Sequence, residues 1–314
     1  METVALGRTG IEVTTVGIGT GGPSRAGQKH GLALDESVAL VRRAVDQGVN
    51  LIDTSEIYGT EDIVARVLAD VPRDDVIISS KVSPRQEGEL RTPAQLAEAF
   101  EEALRKLGVD HVDIFHLHAV EVGDYDYARD ELAPVLLAAK ERGAIRAVGI
   151  TEPFAADSGH ATLQRAVRDD LWDVMMVGFN LIHRTARELI FEPGRAKGIG
   201  MLGMFAVRRA LGNPDRLRAA LSDLDEATRA KIPAQLLADG GIEALIERCG
   251  ATTLPDLAYR FCREEPGLDA TLFGTGSREH LDDNLASFAA PALTPAAIAA
   301  IDEAFADVPP MTGN

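Results

Sequence analysis

Ala270-Thr271-Leu272-Phe273-Gly274 is a short apolar, β-branched run closed by glycine, the pattern of a buried strand. It lies between two amphipathic stretches, a helix near residues 253 to 265 and another near 278 to 288. Seven runs of the same kind precede it, at residues 14 to 19, 50 to 54, 76 to 81, 112 to 118, 145 to 150, 174 to 179 and 200 to 205. Helices near 35 to 48, 60 to 70, 93 to 108, 130 to 142, 161 to 169 and 185 to 197 separate them, with Gly108, Gly143 and Gly198 as C-caps. The run at 270 is thus the eighth strand of a βα series, and eight such units close a (β/α)8 TIM barrel of the α/β class. An open doubly wound sheet is the competing arrangement. It calls for a glycine-rich turn from strand one directly into a helix, with an acid about 20 residues on, and Gly17, Gly19, Gly21 and Gly22 lack that spacing.

Three segments fall outside the series. Residues 4 to 13 read as a β-hairpin turning at Arg8-Thr9-Gly10, placed to plug the barrel floor. Residues 208 to 252, rich in Leu, Ala, Asp and Arg, exceed a usual βα loop and read as an insertion of two or three helical pieces after strand seven. A final helix spans 294 to 306. Without a low-complexity linker or a repeat beyond the βα rhythm, residues 1 to 314 are expected to form one domain.

Composition narrows the function. Apolar residues at 46% and charged residues at 26% describe a folded chain rather than a disordered one. Thirty-two Lys and Arg against 49 Asp and Glu give a formal charge of −17, which repels nucleic acid and anionic membrane surfaces. A phosphorylated ligand must therefore be met by local donors. Two cysteines, Cys249 and Cys262, are no disulfide framework. No signal peptide or membrane span is apparent, so a cytoplasmic location is expected.

Four polar side chains fall at or just past the C-terminal ends of strands two, three and four: Asp53, Tyr58, Lys81 and His118. A lysine ending a buried strand is costly unless paired, and Asp53 on the neighbouring strand is its counter-charge. A tyrosine beside that ammonium is expected to have a lowered pKa and to act as a general acid. His118 is expected to donate to the substrate oxygen as a neutral imidazole, and the hydride must come from a cofactor. Taken singly, Asp53 reads equally as a turn residue and Tyr58 as a surface aromatic; their convergence at successive strand ends is what points to chemistry. His116, two residues before His118, shares its strand face, but no further ligands complete a metal site. It reads as a hydrogen-bonded interior residue.

The chain resembles the aldo-keto reductase superfamily. The resemblance rests on Leu6-Gly7-Arg8-Thr9-Gly10, Gly17-Ile18-Gly19-Thr20, Asp53-Thr54-Ser55-Glu56-Ile57-Tyr58-Gly59 and Gly274-Thr275-Gly276-Ser277-Arg278-Glu279-His280-Leu281-Asp282-Asp283-Asn284. It implies a catalytic tetrad on Asp53, Tyr58, Lys81 and His118, and a nicotinamide cofactor across the C-terminal barrel face. Gly19, Thr20, Asp53 and Thr151 would lie near the nicotinamide, with Met204, Phe205, Ala206 and Val207 following strand seven. Thr275, Gly276, Arg278, Asp283 and Asn284 would hold the adenosine end, Arg278 favouring NADP(H) over NAD(H), which stays possible. Family members often carry Ser-Asn after strand five, Gln on strand six and Tyr after strand seven; this chain has Thr151-Glu152, Met176 and Met204-Phe205. The expected activity is reversible reduction of an aldehyde or ketone. Oxidation of a sugar or alcohol, and a cofactor-binding regulatory barrel with little turnover, are the alternatives. Tyr125 and Tyr127 are candidates for the substrate mouth or for solvent-exposed packing residues, Arg208-Arg209 for the pyrophosphate, and Trp172 for the core.

Overall fold

The computed structural model describes residues 1–314. Eight parallel strands close a barrel: β1 Val16–Gly19, β2 Leu51–Asp53, β3 Ile77–Val82, β4 Val112–Leu117, β5 Ile145–Thr151, β6 Val174–Gly178, β7 Gly200–Met204 and β8 Ala270–Phe273. Closure runs through β8, where Thr271 to Phe273 pair with Val16 to Ile18 of β1. All eight expected strands are present. No helix is long and apolar enough to cross a membrane.

The hairpin pairs Thr3–Ala5 with Glu12–Thr14 and fills the N-terminal end of the barrel. Leu6, Ile11 and Val13 are fully buried in one apolar cluster with the inward-facing residues Leu51, Ile77, Ile114, Ala147, Val174, Leu202 and Ala270. Gly200 makes room for the plug, since a Cβ there would lie 2.6 Å from the Leu6 side chain, closer than carbon atoms pack.

Two helices begin differently from the sequence expectation. The segments leading into Ala133–Glu141 and Glu192–Lys197 are π-helical, over Ala128–Leu132 and Arg187–Phe191. Each precedes a proline near the start of the α-helical part, Pro134 and Pro193. Proline has no N–H for the i−4 carbonyl and its ring crowds that carbonyl, so the backbone widens by one residue and continues. The insertion is more divided than expected. It consists of a 3-10 turn, Arg209–Gly212, and four short helices: Pro214–Ser222, Glu226–Arg229, Ala234–Leu237 and Gly241–Arg248. Residues 308 to 314 return to the C-terminal face, where Met311 N–H donates to Ile182 O (3.1 Å) and Ala210 N–H to Gly313 O (2.8 Å).

Candidate active site

Moving up the barrel from the plug, the inward positions change from apolar to polar. Side chains alternate along a strand, so Leu51 is followed inward by Asp53, Ile77 by Ser79 and Lys81, Ile114 by His116 and then His118, and Ala147 by Gly149 and Thr151. Register places Asp53 beside Ser79, and Lys81 beside His116. Buried polar groups must satisfy one another, and these largely do.

Lys81 is fully buried and Asp53 is 4% exposed. The ammonium spends its three protons on Asp53 Oδ2 (2.6 Å), Thr54 O (2.8 Å) and the Tyr58 hydroxyl oxygen (3.3 Å). Tyr58 comes from a short 3-10 turn, Glu56–Tyr58, and its ring lies against Gly21, where a Cβ would sit 2.5 Å from it. His118 faces the phenol edge-on, with Nε2 3.5 Å from the hydroxyl oxygen. Behind the pair, Ser79 Oγ–H donates to Asp53 Oδ1 (2.8 Å) and lies 3.2 Å from His116 Nε2. The single Ser79 proton is used by Asp53, so His116 donates to Ser79. The four residues selected from the sequence are thus together, joined by Ser79, His116 and the Thr54 carbonyl. Ser79 was legible in principle, as a hydroxyl two residues before Lys81 on the same strand face; its bond to Asp53 required the register.

Electrostatics departs from the expectation at one point. Burial raises the Tyr58 pKa and outweighs the lowering by Lys81, with the Asp53 carboxylate adding to the rise. The phenol therefore keeps its proton rather than being acidified. For Lys81, burial works against the charge, but Asp53 and the Tyr58 oxygen overcome it and the ammonium stays protonated. Burial, with Lys81 nearby, drops His118 to about 3, leaving a neutral imidazole at ordinary pH.

The His116 ring occupies the space beside Gly149, where a Cβ would lie 2.2 Å from Nδ1. Gly149→Ala is therefore expected to cost about 1–3 kcal/mol by overpacking, read as a lower urea midpoint. It should also lower kcat by displacing the Ser79 and Asp53 contacts. Unchanged stability and rate would show that the ring is free to move.

The residues expected near a nicotinamide are distributed unevenly. Gly19 pairs with Asp53 and faces Gly274, where a Cβ would lie 3.1 Å from Gly19 O. Thr20 is fully buried, its hydroxyl donating to Asp53 O (3.2 Å) and 2.8 Å from Thr60 Oγ1, so it ties strand ends together instead of opening to the mouth. Thr151 Oγ1 accepts from Ala119 N–H at 2.7 Å, next to His118. Glu152 is buried and turned aside: it accepts from Gly178 N–H (2.8 Å) and lies 2.9 Å from His160 Nδ1. Met176 belongs to the barrel-interior cluster and Met204 packs against it, so both positions on β6 and β7 are filled by thioether side chains. Phe205 adopts φ of +68°, a left-handed conformation costly for an aromatic residue. Phe154 holds its edge (5.2 Å) and the Arg208 guanidinium covers its ring at 4.2 Å. Ala206 is buried behind it and Val207 is half-buried.

Arg208 carries a signature of its own. Burial alone, with no carboxylate acting on it, lowers its pKa. Its Nε–H bonds Asn314 Oδ1 (2.8 Å), and its Nη1 approaches the open side of Gly22. Across the mouth, Ser277 caps the helix Arg278–Ala289. Gly276 lies so close to Gly27 that a Cβ would be 2.7 Å from its Cα. Thr275 is buried, Arg278 and Asp283 are exposed, and Asn284 is half-buried. A half-buried cation without a counter-ion, glycines in close approach and the first turn of a helix together fit a ligand bearing phosphates.

Other candidates fall elsewhere. Tyr125 is buried away from the mouth, its hydroxyl donating to Asp169 Oδ2 (2.5 Å) and accepting from Trp172 Nε1–H (3.2 Å); Trp172 is core as expected. Tyr127 donates to Arg91 O (3.1 Å).

A family model, the Aldo/keto reductase family, matches residues 15–306. L-galactose dehydrogenase of Arabidopsis thaliana is 37% identical over 157 residues, 48% of this chain and 48% of that protein, so the match spans about half of the relative's length. The NADH-specific methylglyoxal reductase of Escherichia coli K12 is 27% identical over 222 residues, 63% of this chain and 65% of that one. The aldo-keto reductase AKR11C1 from Bacillus halodurans, in its holo form, superimposes with a TM-score of 0.73 at 20% identity, covering 97% of this chain and 96% of that one.

Proposed function

The chain belongs to the aldo/keto reductase family, and from that premise we propose that it reversibly reduces an aldehyde or ketone to an alcohol, with Tyr58 as proton donor. The observation carrying this reading is the buried Lys81 ammonium, held by Asp53 and Thr54 O and aimed with its remaining proton at the Tyr58 oxygen. A substrate oxygen next to Tyr58 and His118 meets two neutral donors. As negative charge develops on that oxygen, both hydrogen bonds strengthen, and the Tyr58 proton transfers to it. Lys81 then stabilises the phenolate left behind. In the oxidative direction, favoured by the name of the Arabidopsis relative, the same phenolate removes the alcohol proton.

A bound nicotinamide cofactor supplies or accepts the hydride. Its phosphates suit Arg208, Thr275, Gly276 and the N-terminus of Arg278–Ala289, with Asp283 and Asn284 toward the adenine. Gly19, Asp53, Thr151 and Met204 would border its nicotinamide end. Arg278, exposed on the first helical turn, suits a 2′-phosphate and favours NADP(H). The E. coli relative is NADH-specific by name, so this preference rests on Arg278 alone.

Following loss of NADPH and NADH absorbance with a panel of aldehydes, ketones and aldoses tests the activity. We expect turnover, with NADPH preferred; Arg278→Ala should weaken NADPH binding about tenfold and leave NADH unchanged. Binding without turnover on every substrate would favour a regulatory barrel instead.

A further inference from the structure

We infer that Ser55 is a positioning residue: its hydroxyl donates to His118 Nδ1 and fixes the imidazole proton on Nε2, beside the Tyr58 hydroxyl and facing the substrate oxygen. This rests on the roles proposed for Tyr58 and His118. Ser55 is fully buried and lies in extended backbone just before the turn that carries Tyr58. Its single proton has two acceptors within reach, His118 Nδ1 at 3.0 Å and Lys81 O at 3.4 Å. O–H donors bond at about 2.5–3.0 Å, which selects Nδ1. With Nδ1 accepting, a neutral ring carries its proton on Nε2.

The consequence lies 3.5 Å away, at the Tyr58 hydroxyl. In the opposite tautomer Nε2 would present a lone pair to Tyr58 and draw its proton into an internal hydrogen bond. With Nε2 protonated, two donors face each other without bonding, and the wide gap between them is what a pair awaiting a shared acceptor requires. The Tyr58 oxygen meanwhile accepts from Lys81, so its own proton stays free for substrate. Asp53-Thr54-Ser55-Glu56-Ile57-Tyr58 thus delivers a counter-charge, a tautomer lock and an acid from one short segment.

The test is the ring tautomer of His118 in 15N-histidine-labelled protein without cofactor, its signals assigned by their loss in His118→Asn. Protonated and unprotonated ring nitrogens resonate far apart, so the site of the proton is read directly. We expect the wild type to carry it on Nε2 alone, and Ser55→Ala to show both tautomers. In the same variant kcat should fall about tenfold, the size of one lost hydrogen bond, with KM moving less. A wild-type proton on Nδ1 overturns the inference. So does an unaltered tautomer in Ser55→Ala, whatever happens to its rate. Retained turnover in Tyr58→Phe would instead remove the acid assignment while leaving the tautomer measurement intact, so the two failures are distinguishable.

Discussion

Tyr58→Phe is expected to lower kcat for carbonyl reduction by about 10²–10⁴-fold, the usual contribution of a positioned general acid, with cofactor affinity unchanged. The variant removes one oxygen from a ring that packs against Gly21, so the fold has little reason to respond. The pH dependence should carry the same assignment. Because burial raises the Tyr58 pKa, the donor form persists through neutral pH, and reduction stays level until the solution passes the phenol's ordinary value of about 10. Alcohol oxidation needs the deprotonated form and should rise with pH over the same range. His118, with its pKa near 3, adds no limb between pH 5 and 8. A reduction rate that falls through neutrality, or equal kcat in wild type and Tyr58→Phe, would remove Tyr58 from the mechanism.

Lys81→Met should be the more damaging change to the protein as a whole. It leaves the Asp53 carboxylate buried with only Ser79 as partner, and stranding one member of a buried ion pair costs about 3–5 kcal/mol. That is a large share of the 5–15 kcal/mol holding a typical domain together. Urea titration should therefore show a much lower midpoint. Adding Asp53→Asn removes the stranded charge while keeping the shape and an acceptor for Ser79, so the double variant should regain most of the stability. Activity should return in neither, since no ammonium remains to hold the Tyr58 oxygen. If Lys81→Met is as stable as wild type, the pair is not desolvated in solution and its effect on Tyr58 is lost with it.

The barrel was legible because each strand is a short apolar, β-branched run and several intervening helices end in a glycine cap, so the run at Ala270 to Phe273 completed a series. Lys81 stood out because an ammonium ending a buried strand has few structural excuses, and Asp53, Tyr58 and His118 gained weight from their convergence with it at successive strand ends. What could not be read was depth. The Tyr58 pKa moves upward because burial outweighs Lys81, and the extent of burial depends on loops such as the one carrying Gly21. Tyr125 showed the same limit: an aromatic in an acidic loop gave no sign that Asp169 and Trp172 would draw it into the core. The bonds of the Ser55 and Ser79 hydroxyls could not be read because their partners, His118 and Asp53, lie on other elements, and only the folded register brings them within bonding distance. The π-helical segments before Pro134 and Pro193 do have a local cause, although a periodicity reading absorbs them into ordinary helix.

The floor sealed by Leu6, Ile11 and Val13 also constrains the traffic of protons. With that end packed by fully buried side chains, the hydrogen that Tyr58 would give up as the proposed donor is expected to be restored through the same entrance that product uses to depart. Reprotonation is then queued behind release, and an isotope effect from heavy water should appear in the later part of the cycle rather than in the delivery of substrate.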